Sequence, residues 1–216
     1  MLVTCWSVKG GSGTTVIAAA LALLLARRLP GDVLLIDVGG DAPPALGLPD
    51  LGGPGVLDWL ASPSPLEPEA LGRLEVDAGA GLRLLPQGTA SVAGAVGAGE
   101  VERLFDAVGT RTAVVDAGPA SPLAFELAAT ATMSLLVLRP CYLALRRALA
   151  APVRPSAVVV IEEPKRSLDP ADIEDVLGVP VRAVVPWDPS IARCVDAGLL
   201  AARLPGPLAS ALRRAA

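Results

Sequence analysis

The chain of 216 residues is 52% apolar but only 3% aromatic, which suits one α/β domain whose core is packed from leucine, valine and alanine. A net charge of −4, with Lys9 and Lys165 as the only lysines, argues against a broad electrostatic footprint for nucleic acid or anionic lipid. The three cysteines, Cys5, Cys141 and Cys194, lie far apart without metal-ligand spacing and form an odd set, which fits a reducing cytoplasm.

Taken in order, Leu2–Val8 reads as a strand that runs into a glycine-rich turn, and a helix opens at Thr14-Thr15 and continues to Arg28. The apolar run inside that helix, Val16 to Ala26, has the look of a signal-peptide core. It is too short to cross a bilayer, and Arg27-Arg28 follows it where a small-residue cleavage site would stand. Val33–Asp37 is the next strand. Proline and glycine are frequent from Asp41 to Leu82, where short helices are predicted at Val56–Ala61 and Glu67–Leu74; a strand at Leu82–Leu85 interrupts a glycine-rich stretch. Strands at Thr112–Asp116, Ser134–Leu138, Ala157–Ile161 and Val181–Val185 then alternate with helices at Glu100–Ala107, Pro122–Thr130, Leu143–Ala150 and Pro170–Leu177. Asp169-Pro170 and Gly178 give the last of these helices both a start and a stop signal. The tail Pro207–Ala216 reads as a short helix. Short, continuous apolar strands alternating with helices predict a three-layer α/β sandwich, with a mainly parallel sheet of about seven strands and helices on both faces. No internal repeat or long linker divides residues 1–216, so one domain is expected.

The segment Lys9-Gly10-Gly11-Ser12-Gly13-Thr14-Thr15 sits between the first strand and the first helix. Such a strand–turn–helix binds phosphate, because backbone N–H groups point into the turn and the helix N-terminus adds partial positive charge. On these residues the chain resembles the ParA/MinD family of P-loop ATPases, whose loop reads K-G-G-x-G-K-S/T. The resemblance implies a P-loop NTPase-like fold with ATP and Mg2+ as cofactors, and Gly10, Gly11, Ser12, Gly13, Thr14 and Thr15 around the phosphates. Lys9 matches the lysine that reaches across a nucleotide-sandwich homodimer, and Thr15 matches the hydroxyl that holds Mg2+. The second family lysine falls on Thr14. Loss of one charge-assisted hydrogen bond to phosphate should cost about 1.5–3 kcal/mol, or roughly ten- to a hundredfold in affinity. Transition-state stabilisation should suffer at least as much.

The resemblance extends to the switch segments. Asp37 matches the first acidic residue of a D-x-D pattern, and Gly39 stands where the second would position the attacking water. Asp116 and Gly118 look like the Walker B carboxylate and the glycine that offers its backbone to the terminal phosphate. The implied metal set is Thr15, Asp37 and Asp116, and the implied catalytic set is Lys9, Asp37 and Asp116. Glu162 and Glu163 replace the asparagine that reads adenine in the family, while Pro186 and Trp187 correspond to a segment near the base. The stretch Gly40 to Leu48 is similar to, but shorter than, a G-D…L-G-L stretch of the pilus-associated CpaE/TadZ branch, while Gly55–Leu60, Gly81–Pro86 and Val184–Ile191 with Asp196-Ala197-Gly198 look like the MinD/CpaE-like branch. Arg139-Pro140 ends the fifth strand, and Arg146-Arg147 read as a solvated helix face, with DNA binding disfavoured by the acidic balance. The alanine-rich tail helix is expected to pack on the domain in preference to a membrane. Together these features imply a degenerate positioning or assembly protein for pilus, septum or chromosome, acting through dimerisation and protein partners with weak or no ATP hydrolysis. The alternative is an active ATP-dependent dimerisation switch in which another group replaces the missing lysine.

Overall fold

The computed structural model describes residues 1–29, 33–62, 68–91 and 96–215. Among these, the elements follow in the order β1 (Leu2–Ser7), α1 (Thr14–Ala26), β2 (Val33–Asp37), α2 (Ala42–Leu46), α3 (Val56–Leu60), α4 (Pro68–Gly72), β3 (Val76–Asp77), β4 (Leu82–Leu85) and α5 (Ala98–Val108). The second half supplies β5 (Thr112–Pro119), α6 (Pro122–Thr130), β6 (Met133–Leu138), α7 (Tyr142–Leu149), β7 (Ala157–Glu162), α8 (Pro170–Leu177), β8 (Val181–Pro186), α9 (Pro189–Asp196) and α10 (Gly206–Leu212). The strands form one sheet in the order β3-β4-β2-β5-β1-β6-β7-β8, parallel throughout except for β3 at the edge.

Alternate residues of each strand feed two separate cores, as the two-residue period of a pleated strand requires. Val33 and Leu35 of β2 face α1, α2 and α10, whereas Leu34 and Ile36 face the side covered by α5, α6, α7 and α8. Both faces of the central strands are therefore buried, which explains why their sequences are continuous apolar runs. Trp6, fully buried on the second face, stacks edge-on to Phe125 and donates its indole N–H to Ser134 Oγ at 2.9 Å, so its polar end is satisfied.

Helix α1 is buried at every position from Ile17 to Ala26. It has no polar face because the sheet, α2 and α10 enclose it. The signal-peptide look of this segment thus has a packing origin, and no helix among the described residues is long and apolar enough to cross a membrane. The tail helix α10 buries Leu208 and Leu212 on the domain, as its sequence predicts.

The helices Pro122–Thr130 and Pro170–Leu177 keep their expected bounds. In α8 the Asp169 carboxylate accepts from the Asp172 N–H and the Asp172 carboxylate accepts from the Asp169 N–H, each at 2.9 Å. Three elements escape a sequence reading. Strand β3 has only two residues and brings the sheet to eight strands, one more than expected. Helix α2 reads as a proline-rich loop, yet Pro43 and Pro44 fall in its first turn, where a missing N–H costs nothing. Helix α9 opens on Pro189 behind Asp188, whose carboxylate accepts from Ser190 N–H at 2.7 Å. The expected Glu67–Leu74 helix is observed as Pro68–Gly72, and Glu67 lies outside the described residues.

The C-terminal ends of α2 and α9 meet backbone to backbone. Gly47 (φ +84) and Gly198 (φ +64) both adopt left-handed conformations, and a Cβ at Gly47 would lie 2.0 Å from the Gly198 carbonyl oxygen. Gly47→Ala is accordingly expected to destabilise the fold by about 2–4 kcal/mol, combining left-handed strain with overpacking. Gly52, where a Cβ meets open space, should tolerate alanine within about 0.5 kcal/mol. Urea denaturation midpoints of the two variants check the contrast.

Candidate functional site

The parallel strands end on a common edge, and β1 lies at the point where the chain crosses from one half of the sheet to the other, between β5 and β6. Four segments converge there: the loop after β1, Asp37 at the end of β2, the Asp116–Gly118 stretch of β5, and Arg139 just past β6.

The loop after β1 is tied to itself. Ser7 Oγ and Ser12 Oγ donate to the Lys9 carbonyl at 2.9 and 3.0 Å, and the Gly13 carbonyl accepts from Ile17 N–H at 3.0 Å to start α1. Gly11 (φ +73) and Gly13 (φ +89) hold left-handed conformations, and a Cβ built on Gly10, Gly11 or Gly13 meets no atom within 4 Å. The loop backbone therefore curves around free space, the shape of an anion cradle. That space is a cavity of about 730 Å³ lined by Gly10 to Thr15, Gly39, Asp41, Gly118, Arg139 and Asp196. Thr14 opens α1 and lines this cavity at 7% exposure, so a neutral hydroxyl-bearing side chain occupies the lysine position of the resembled loop. Lys9 is not part of the lining; its ammonium lies 3.8 Å from Cys141 Sγ, at the N-cap of α7.

Asp37 and Asp116 are register partners on β2 and β5, and both are fully buried. Asp37 Oδ1 accepts from Gly40 N–H at 2.7 Å and Oδ2 from Ala42 N–H at 3.1 Å, which pins the turn that leads into α2. Burial, and then the charge of Asp116, push the Asp37 carboxyl up to about 7. Burial also raises Asp116, against a hydrogen bond from the Thr15 hydroxyl and one at 3.1 Å from Gly118 N–H to Oδ1. Its other oxygen, Oδ2, is buried without a hydrogen-bond partner. This orphaned oxygen points toward Gly39, where a Cβ would lie 3.1 Å away. A hydroxyl beside buried carboxylates is an oxygen donor set suited to Mg2+. Among the described residues no group of three or more His, Cys, Asp or Glu could cage a metal, so Mg2+ here would complete its shell with phosphate and water, its usual habit.

A second cavity, of about 380 Å³, adjoins the first and shares Ser12, Gly13, Val16, Arg139 and Asp196 with it. Its walls are apolar, from Ile17, Ile161, Val185, Pro186, Trp187 and Ile191. Pro186 and Trp187 line this second cavity and not the first. Glu162 and Glu163 do not line it; Glu163 is paired instead with Arg139 at 3.4 Å and with Arg166. The combined cleft has a glycine-lined end for an oxyanion and an apolar end for a flat ring. Sequence reasoning missed Arg139, Asp41 and Asp196. The one local signal for Arg139 was an arginine ending a buried strand at the sheet edge that carries the loop.

No protein-family model matches the sequence, and neither does any curated protein. Solved structures do match in fold. A ParA family ATPase from Chlorobium tepidum aligns at a TM-score of 0.76 and 20% identity, covering 98% of this chain and 96% of the other. The MinD cell division protein of Aquifex aeolicus aligns at 0.77 and 22%, covering 98% and 92%. The septum site-determining protein MinD of Pyrococcus horikoshii, solved with Mg-ADP, aligns at 0.74 and 18%, covering 97% and 91%. The chain thus shares the three-layer α/β fold of these proteins over nearly its whole length.

The carboxylates make stability depend on pH. Asp37 titrates near 7 in the fold against an ordinary 3.8, so the native state binds more protons than the unfolded chain between these values. Its contribution is full below about pH 4 and is lost as pH rises through about 7. The melting temperature should fall from pH 5 to pH 8, and fall less in Asp37→Asn. Millimolar Mg2+ should raise it more at pH 8 than at pH 5, which differential scanning fluorimetry can follow.

Proposed function

We propose that the chain is a ParA/MinD-type positioning or assembly protein of the cytoplasm, which works through dimerisation and protein partners and turns over ATP weakly or not at all. Thr14 carries this reading. It stands at the head of α1 inside the glycine-lined cavity, where an ammonium would meet the β- and γ-phosphates in the resembled family. A hydroxyl can donate there but brings no charge. Gly39 weakens turnover further, because it brings no carboxylate to orient an attacking water.

Each retained residue has a part in this reading. The N–H groups of Gly10 to Thr14 hold the phosphates, Thr15 and Asp116 hold Mg2+, and Asp37 anchors the turn into α2. Bound Mg2+ neutralises phosphate charge. Gly118 offers its N–H near the terminal phosphate, and its left-handed φ of +68 favours glycine. Pro186 and Trp187 border the base. Lys9 leaves Cys141 on dimerisation and reaches the partner's phosphates. The CpaE/TadZ-like stretch favours a pilus or secretion machinery as the protein partner, ahead of septum or chromosome. One solved neighbour, a MinC:MinD cell division protein complex from Aquifex aeolicus, supports a protein as the kind of partner.

A second reading, an active ATP-dependent dimerisation switch, draws on the orphaned Asp116 oxygen beside Thr15, which keeps a Mg2+ position available. Thr14→Lys separates the two. Under the first, the added ammonium should tighten Mg-ATP binding about ten- to a hundredfold by isothermal titration; no gain would favour the switch. Phosphate release by the unmodified protein should be close to background, and brisk turnover would overturn the weak-hydrolysis reading. Lys9→Ala should weaken self-association in sedimentation velocity with Mg-ATP present, and unchanged association would remove Lys9 from the interface.

A further inference from the structure

The geometry points to Arg139 as the cation that phosphate meets in this cleft, supplying from within the same chain part of the charge that Thr14 does not. This inference rests on the nucleotide reading of the site and assigns the source of its positive charge.

Position comes first. Strands β1 and β6 are hydrogen-bonded neighbours with Trp6 opposite Leu136, so the chain leaves β6 at Arg139 on the same sheet edge at which the loop leaves β1. Arg139 lines both the glycine cavity and the apolar cavity, and it is the only lysine or arginine in either lining among the described residues. The other charged residues there are acidic: Asp41 and Asp196 in the first cavity, Asp188 and Asp196 in the second. Without the guanidinium the cleft would repel a polyphosphate. With it, the one positive charge sits where the two cavities join, which is where a nucleoside diphosphate passes from ring to phosphate.

The side chain is also held ready. Its guanidinium lies 5.2 Å from the centroid of the Trp187 ring, and Nη1 is 3.4 Å from Glu163 Oε1. These contacts orient the planar fork but use few of its five N–H donors. Glu163 is shared with Arg166, which loosens its hold on Arg139. Arg139 Nε is buried and has no hydrogen-bond partner. A buried donor without a partner is unfavourable, so the side chain would gain by turning Nε toward a phosphate oxygen in the adjoining cavity. The competing reading is a strut that merely ties the end of β6 to Glu163 and Trp187.

Isothermal titration of Mg-ADP and of inorganic pyrophosphate with Mg2+ distinguishes these. The proteins compared are the unmodified chain, Arg139→Gln, Arg139→Lys, Thr14→Lys and the double variant Thr14→Lys/Arg139→Gln. Arg139→Gln should weaken both ligands about ten- to a hundredfold, and Arg139→Lys should recover most of that loss because the charge remains. In the Thr14→Lys background the same glutamine substitution should cost about tenfold less, since the two cations serve the same oxygens. The inference is overturned if Arg139→Gln binds both ligands as the unmodified chain does, if it weakens ADP but leaves pyrophosphate untouched, or if Arg139→Lys fails alongside it. Binding by Thr14→Lys but not by the unmodified chain also overturns it, while leaving the nucleotide reading in place. If neither of those two proteins binds either ligand, the nucleotide reading fails and the inference with it.

Discussion

The carboxyl edge of the sheet depends on one alignment across three adjacent parallel strands, in which Cys5, Asp116 and Asp37 stand in register. It places two acids side by side in the interior and forces the surrounding backbone to accommodate them. The Asp116 carbonyl receives N–H groups from Val38 at 2.9 Å and Gly39 at 3.1 Å, so the end of β2 is stitched to β5 beyond the regular ladder. Asp37 in turn gathers the N–H groups of Gly40 and Ala42. The same pair burdens its neighbours: burial and the nearby Asp116 raise the Cys5 thiol well above its usual range. A cation or an extra proton relieves this concentration of negative charge, which makes the edge a binding site in physical terms before any ligand is named.

Much of this edge was legible in the sequence because its signals are local. The loop, Asp37 and Asp116 each lie at the end of a short apolar run, where chain order alone says strand, turn and helix. Thr14 was legible for the same reason. What stayed hidden depends on contacts between distant segments or on ambiguous residues. Helix α2 was obscured by Pro43 and Pro44, which punctuate a loop in one context and open a helix in another. Arg139 acquires meaning only because β6 crosses over to lie beside β1, and no periodicity reports that adjacency. Trp187 could be placed near a base by resemblance, but its contact with Arg139 comes from the pairing of β7 with β8, which brings Glu162 opposite Pro186.

Gly39 and Gly118 meet where the end of β2 faces the end of β5. Gly39 leaves the approach to Asp116 Oδ2 uncrowded, and a Cβ at Gly118 would press to 3.3 Å on the Gly39 Cα. A side chain at Gly39 would press on the Asp116 carboxylate, and one at Gly118 on the Gly39 backbone. The cleft beside them is lined by the glycines of the loop and, among the described residues, by Arg139 as its one cation.

The meeting of Gly47 with Gly198 gives α2 a second role. At its start this helix is fastened by Asp37, and at its end it abuts the segment after α9, where Leu200 N–H also donates to the Ala45 carbonyl at 3.4 Å. Fastened at both ends, α2 behaves as a short connecting rod between the turn at Gly39 and the helix that walls the apolar cavity. The two ends of the cleft are thereby joined through one short helix.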